Sequence, residues 1–187
     1  MAGLLLVASL ASAAPAMAQT GGAGPPGGTP APPPPTTTTP TVPGSTAQLL
    51  PTGKAVPPAG APRQVRKAIK AGNKISKKPY LWGGGHRSFK AKGYDCSGAV
   101  SYVLHKAGLL RSPLASGPLM TWGAPGLGSW ITVYANRSHV FMTVAGLRFD
   151  TSAVGESFNQ GSGPRWRATA RSGTGYAARF FPGFWPP

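Results

Sequence analysis

The spacing of apolar residues predicts two helices. Over residues 63–73, apolar side chains recur three and four positions apart, and basic side chains fill most of the opposite face. The same spacing runs over residues 99–110, where Gly108 is placed to end the helix. Asp95 and Ser97 are residue types that cap helix N-termini. We therefore expect Cys96 at, or just inside, the start of the second helix.

Four short apolar stretches predict strands, at residues 130–134, 139–145, 147–151 and 165–168. If Ala145 and Gly146 form a two-residue turn, Val144 pairs with Leu147, and residue 139 then lies on the same face as residue 150. A three-residue turn would put residue 150 on the opposite face. We expect the aromatic segment 180–185 to close the core, because large aromatic side chains are mostly buried.

In the first 62 residues, the apolar positions show neither the spacing of a helix nor that of a strand. Residues 1–18 contain an apolar stretch and end in Ala-Met-Ala, which predicts a secretory signal peptide. Residues 19–62 hold 13 of the 22 prolines, and this Pro/Gly/Thr-rich composition predicts a disordered linker. Residues 63–187 are then expected to form one compact domain.

The charge of the chain is strongly one-sided. Lys and Arg number 19 against 3 Asp and Glu, a formal net charge of +16, and every basic residue lies at or after Lys54. Such a surface attracts polyanions, for example anionic cell-wall polymers or nucleic acid, although no nucleic-acid-binding motif is recognisable. No apolar run reaches the roughly 18 residues of an ordinary membrane span. The single cysteine excludes an intramolecular disulfide and a zinc site built from several thiolates.

Cys96 is the candidate nucleophile. A helix N-terminus stabilises a thiolate through the partial positive charge of its unpaired N–H groups, and those groups can also hold the oxyanion of a tetrahedral intermediate. A lone cysteine can equally be a buried, inert residue. A catalytic role for Cys96 therefore requires a base that can reach the thiol.

The chain has three histidines that could supply this base. His105 lies nine residues beyond the cysteine on the same predicted helix, about 13 Å away along its axis, which is out of reach. His86 lies in a glycine-rich loop and is a better candidate for a substrate-side or structural group. His139 begins a predicted strand, and Asp150 on the next strand could orient its imidazole. Alternatively, His139 is an ordinary core histidine, and Asp150 is only a charge at the end of a strand.

Around these residues the sequence resembles the NlpC-type cell-wall peptidases, a papain-like superfamily. The resemblance rests on Pro-Tyr-Leu-Trp-Gly-Gly at 79–84, Tyr-Asp-Cys-Ser-Gly at 94–98 and Ser-His-Val at 138–140. It implies an α+β papain-like fold in which N-terminal helices, with the nucleophile at a helix start, pack on an antiparallel sheet. It also implies Cys96 as nucleophile, His139 as base and Asp150 as orienting residue, a position where the family usually has His, Asn or Gln. The residues expected to contact the substrate are Tyr80, Trp82, His86, Asp95 and Ser97.

The resemblance also implies a bacterial hydrolase of peptidoglycan stem peptides, often cutting between D-glutamate and a diamino acid. The reaction would pass through a thioester and need neither metal nor cofactor. With the signal peptide, we expect a secreted enzyme that associates with peptidoglycan and anionic wall polymers. Two alternatives stay open: an amidase of the sugar–peptide junction, and a catalytically inactive basic module that binds the envelope or nucleic acid. The sequence does not determine the oligomeric state.

Overall fold

The computed structural model describes residues 42, 44–154 and 162–184. The fold is mixed α/β, with helices packed on an antiparallel sheet. The helices are α1 (Arg63–Ile75), α2 (Cys96–Ala107) and the short α3 (Ser116–Leu119). No helix in the described ranges is both long enough and apolar enough to cross a membrane. The predicted signal peptide, residues 1–18, lies outside the described residues.

The strands form a small hairpin and a larger sheet of six strands in the order β3-β8-β4-β5-β6-β7, with every neighbouring pair antiparallel. Their bounds are β1 Gln48–Leu49, β2 Ala55–Val56, β3 Ala124–Pro125, β4 Ile131–Ala135, β5 Val140–Val144, β6 Leu147–Asp150, β7 Arg165–Arg167 and β8 Ala177–Phe180. A 3-10 turn, Pro182–Phe184, follows β8.

The core lies between the two long helices and one face of the six-stranded sheet. Val65 and Ile69 of α1 and Leu104 of α2 are almost completely buried, as is Phe149 of β6. The fit of α1 on the sheet depends on Gly72, because a Cβ there would lie 2.3 Å from the ring of Trp166. Close packing of this kind fixes the helices relative to the strands that carry the candidate site.

The predicted helices and central strands are confirmed, with ends shifted by one to three residues. Gly108 ends α2 in the left-handed conformation, with φ of 83°, as expected for a glycine at this position. The predicted strand pairing is also confirmed, because Val144 pairs with Leu147. The turn between them has φ of 46° at Ala145 and 80° at Gly146, and two positive φ angles are typical of a two-residue hairpin turn of type I′.

The prediction of a disordered linker over 19–62 is wrong for residues 44–62. These residues form the β1–β2 hairpin, which is fixed to α1 by two hydrogen bonds of 2.8 Å between the side chain of Asn73 and the backbone of Ala55. The composition concealed this packing because the segment buries small side chains rather than large ones. The buried residues of the segment are Ala47, Ala55, Pro57, Pro58 and Ala61.

The end of the chain was only partly predicted. Phe181 packs against the core, in line with the expected closing role of the aromatic segment, whereas Trp185 lies outside the described residues. Strand β8 was not predicted, because its residues are all half-buried and show no alternation of apolar and polar positions.

Candidate active site

Cys96 is the first residue of α2 and is partly exposed. Asp95 caps the helix, because its Oδ1 accepts a hydrogen bond of 2.7 Å from the N–H of Gly98. Within the described ranges, the backbone N–H of Cys96 has no hydrogen-bond acceptor. The thiol therefore lies at the positive end of a helix, next to a backbone donor that a ligand could use.

The start of α2 is held close to the glycine-rich loop that precedes it. A Cβ on Gly98 would lie 1.9 Å from the carbonyl oxygen of Gly84, and the N–H of Asp95 donates to that same oxygen at 3.3 Å. Tyr80 and Tyr94 form a parallel bridge across the base of the loop. The glycines thus allow a backbone-to-backbone contact that places loop 79–95 beside the cysteine.

His139 and Asp150 meet as the strand pairing requires. The Nε2 of His139 lies 2.9 Å from Oδ1 of Asp150, whose side chain is fully buried, whereas the imidazole is 18% exposed. Asn136 fixes the backbone of His139 by accepting from its N–H at 2.8 Å. The carboxylate is fixed as well, because its Oδ1 accepts from the N–H of Ser152 at 2.9 Å.

The charges of His139 and Asp150 stabilise one another. Burial alone would lower the pKa of His139, but hydrogen bonds and charges of Asp150 and Cys96 raise it to about 9. The effect of Cys96 on this pKa means that the thiol lies near the imidazole. Because Nε2 contacts the carboxylate, Nδ1 is the ring nitrogen that remains for the thiol.

The pKa of Asp150 is below its ordinary value. Burial would raise it, but hydrogen bonds from His139, from the N–H of Ser152 and from Arg171 outweigh that effect. The carboxylate therefore remains ionised over the pH range in which the histidine titrates.

Arg171 also belongs to the site, and the sequence did not single it out. Its Nη1 lies 2.9 Å from Oδ2 of Asp150 and 3.2 Å from Nε2 of His139. Its Nη2 donates to the hydroxyl of Tyr176 at 2.8 Å, and the guanidinium lies over the rings of Phe141 and Tyr176. One arginine among many, 21 positions beyond the carboxylate, gives no sequence signal, because only the fold brings it to the site.

A second polar cluster surrounds Asp95, the residue that precedes the cysteine. The Nε2 of His86 is 3.0 Å from both carboxylate oxygens of Asp95 and 3.1 Å from Oγ of Ser97. The same carboxylate accepts from the N–H of Gly83 at 3.1 Å. His86 is therefore engaged with Asp95 and Ser97, whereas Cys96 acts on the pKa of His139.

The aromatic residues of loop 79–95 differ in how closely they approach the thiol. Burial and the charges of Cys96 and Asp95 raise the pKa of Tyr80, which places its hydroxyl in the field of the thiol. Trp82 is 86% exposed, and none of its described interactions involves the cysteine. His105 has a separate role, because its ring stacks on Phe89 at 3.8 Å.

The chain matches no family model and no curated protein. Among solved structures, it is similar to the peptidoglycan hydrolase RipB from Mycobacterium tuberculosis, with 22% sequence identity and a TM-score of 0.47. That similarity covers 64% of this chain and 68% of the RipB chain. A likeness at this identity and TM-score assigns neither a family nor an activity.

Proposed function

We propose that this protein is a secreted cysteine peptidase that cleaves the stem peptides of peptidoglycan. The observation that carries the proposal is a group of three side chains, in which a helix-start thiol lies near an imidazole that is held by a buried carboxylate. A nucleophile, a base and an orienting group in this order are the arrangement of covalent acyl transfer. The choice of substrate rests on the resemblance to NlpC-type peptidases around Cys96 and His139.

The proposed reaction has two halves. The thiolate of Cys96 attacks the carbonyl carbon of the scissile amide, and the resulting oxyanion accepts a hydrogen bond from the N–H of Cys96. His139 gives its proton to the leaving amine, which departs and leaves a thioester on the sulfur. His139 then removes a proton from water, the resulting hydroxide attacks the thioester, and the carboxylic acid product leaves.

Asp150 and Arg171 act on His139 in this scheme. The carboxylate holds the imidazole with Nδ1 toward the thiol and favours its protonated form. The guanidinium fixes the carboxylate through Oδ2 and lies next to Nε2 of the imidazole. Neither side chain needs to touch the substrate.

The substrate would be recognised by the polar cluster around Asp95. Asp95 supplies a mostly buried carboxylate, which suits a free amine of the stem peptide, and Ser97 and His86 complete its surroundings. Tyr80 would assist beside the thiol, and the exposed Trp82 would contact the peptide outside it. The scissile bond we propose joins D-glutamate to the diamino acid.

The experiment that tests this function compares the full chain with its Cys96→Ala variant on purified sacculi, with mass spectrometry of the released fragments. We expect stem-peptide fragments with a new amine on the diamino acid from the wild type and none from the variant. Fragments cut at the sugar–peptide junction would instead identify an amidase. Hydrolysis that survives in Cys96→Ala would overturn the cysteine mechanism.

A non-enzymatic role is the second candidate, favoured by the net charge of +16. In that case, wild type and Cys96→Ala would bind sacculi equally and release no fragments. The thermal unfolding temperatures of the two proteins serve as the control, because a folded variant is needed for the comparison.

A further inference from the structure

A groove lined by lysines lies between the ends of the two long helices and loop 88–92. Its volume is about 710 Å³, in the size range of ligand sites. We call it the lysine groove, after the five exposed lysines that line it: Lys74, Lys78, Lys90, Lys92 and Lys106.

The charge in the lysine groove is uncompensated within the described part of the chain. Asp95 and Asp150, the acids that the structure describes, are buried and pair with other groups. None of the five lysines forms a salt bridge with a described residue. Five like charges around one concavity repel one another, and an anion bound among them would relieve that repulsion.

The walls of the groove are fixed without a ligand. The hydroxyl of Tyr94 donates to the carbonyl of Phe89 at 2.8 Å and accepts from the N–H of Ala91 at 3.3 Å. Phe89 in turn stacks on His105 of α2. Loop 88–92 is therefore held against the helix by its own contacts, so little ordering of the backbone would oppose binding.

A structural role explains only part of the cluster. Lys74 and Lys106 lie in the last turns of α1 and α2, where a cation interacts favourably with the helix dipole. Lys78 follows the end of α1 by three positions, and Lys90 and Lys92 come from loop 88–92, so none of the three lies in a last helical turn. Their convergence on the same groove requires another explanation.

We propose that the lysine groove binds an anionic cell-wall polymer, a chain that carries phosphates or carboxylates at regular intervals. This partner rests on the proposed function, because an enzyme that cuts peptidoglycan works among such polymers. Lys106 follows Cys96 by ten positions on α2, about 15 Å along the axis. The groove is thus separate from the thiol, yet close enough to hold the enzyme beside its substrate.

The test measures binding of the full chain to three immobilised polyanions. Poly(glycerol phosphate) represents a phosphate polymer, and polygalacturonate represents a carboxylate polymer. A single-stranded oligonucleotide of matched charge represents nucleic acid. The groove variant combines Lys90→Gln, Lys92→Gln and Lys106→Gln. The control combines Lys54→Gln, Lys67→Gln and Lys70→Gln, which are exposed and lie outside the groove. Both variants lose the same net charge.

We expect the groove variant to weaken binding of at least one wall polymer by about tenfold more than the control does. Equal weakening by the two variants, or no binding by the wild type, would overturn the proposal. Equally tight binding of the oligonucleotide through the same lysines would overturn the choice of a wall polymer. None of these probes contains a peptide bond, so the result does not depend on whether the hydrolase proposal holds.

If the groove variant does not fold, the wild type still gives an answer through lysine acylation with and without poly(glycerol phosphate), read by mass spectrometry. We expect the polymer to protect the groove lysines selectively. Protection spread evenly over the exposed lysines would contradict the proposal.

Discussion

His139 and Asp150 face one another across the β5–β6 hairpin, with Nε2 of the imidazole 2.9 Å from Oδ1 of the carboxylate. The pairing of Val144 with Leu147 sets this meeting, and continuing the register places residue 141 opposite residue 150. Side chains alternate along a strand, so one additional residue in the turn would move the carboxylate to the other face of the sheet. The geometry of the candidate site thus depends on a two-residue turn on the far side of the hairpin.

Removing the charge of Asp150 should lower the pKa of His139. Asp150→Asn keeps an acceptor for the imidazole but removes the negative charge that helps to raise its pKa to about 9. Because the proposed mechanism needs a protonated His139 to release the amine, we expect the alkaline limb of the pH–rate profile to move to lower pH. Asp150→Ala also removes the acceptor and should reduce kcat/KM by about a hundredfold or more. An unchanged alkaline limb in Asp150→Asn would contradict the assigned role.

Replacing Arg171 should shift the alkaline limb of the pH–rate profile to higher pH, opposite to the effect of Asp150→Asn. The guanidinium lies 3.2 Å from Nε2 of His139, so its positive charge opposes protonation of the imidazole. We expect Arg171→Met to move the alkaline limb to higher pH and to lower kcat, because the carboxylate loses an anchor. Arg171→Lys keeps the charge and serves as the matched control, whose limb should lie closer to that of the wild type. A loss of activity without any shift would mean that the arginine is only structural.

The stability of the fold should decline on the alkaline side. The pKa of His139 rises from an ordinary 6.5 to about 9 in the folded protein, so its protonation stabilises the fold. That contribution is fully present below pH 6.5 and is lost as the pH rises through about 9. We expect urea midpoints to fall over this interval, and His139→Gln to remove that part of the decline. An equal decline in both proteins would assign it to other groups.

Lowering the pH should destabilise the fold through protonation of Asp150. Its pKa in the folded protein is below the ordinary 3.8, so the ionised carboxylate stabilises the fold. This contribution is present above the ordinary pKa and is lost as the pH falls through the lower, folded value. Asp150→Asn should flatten the acid side of the urea-midpoint profile, provided that its midpoint near neutral pH still reports a folded protein.

Gly98→Ala should disturb the start of α2. The new Cβ would lie 1.9 Å from the carbonyl oxygen of Gly84, a backbone atom that cannot move without shifting the loop. Overpacking of this kind costs about 1–3 kcal/mol or more in the free energy of unfolding. Gly60→Ala is the control, since nothing lies within 4 Å of its Cβ position. Equal unfolding temperatures for the two variants would show that the loop adapts freely.

Local patterns predicted the parts of the fold that local physics controls. Helical spacing indicated α1 and α2, capping residues placed Cys96 at a helix start, and a glycine marked the turn that brings residues 139 and 150 together. The β1–β2 hairpin was missed because it packs small alanines and relies on Asn73, a partner on α1 that no local window contains. Strand β8 was missed because its half-buried residues carry no alternation.

In the candidate site too, residues with a local sequence pattern were predicted, and those that depend on distant partners were not. Cys96 and His139 stand in recognisable local settings, whereas Arg171 reaches the carboxylate from an irregular segment with no periodic pattern. His86 was expected near the substrate, but its pairing with Asp95 depends on how tightly the glycine-rich loop closes on α2, which chain spacing does not determine.

The position of Asp95 constrains how the candidate active site could be redesigned. Its carboxylate caps the helix that begins with Cys96 and also pairs with His86, so an exchange there would alter stability and ligand preference together. His86 contacts both this carboxylate and Ser97 of the helix, whereas Trp82 is 86% exposed and has no described contact with the helix. An engineer who wanted a different ligand preference would therefore randomise Trp82 and leave the aspartate and its histidine unchanged.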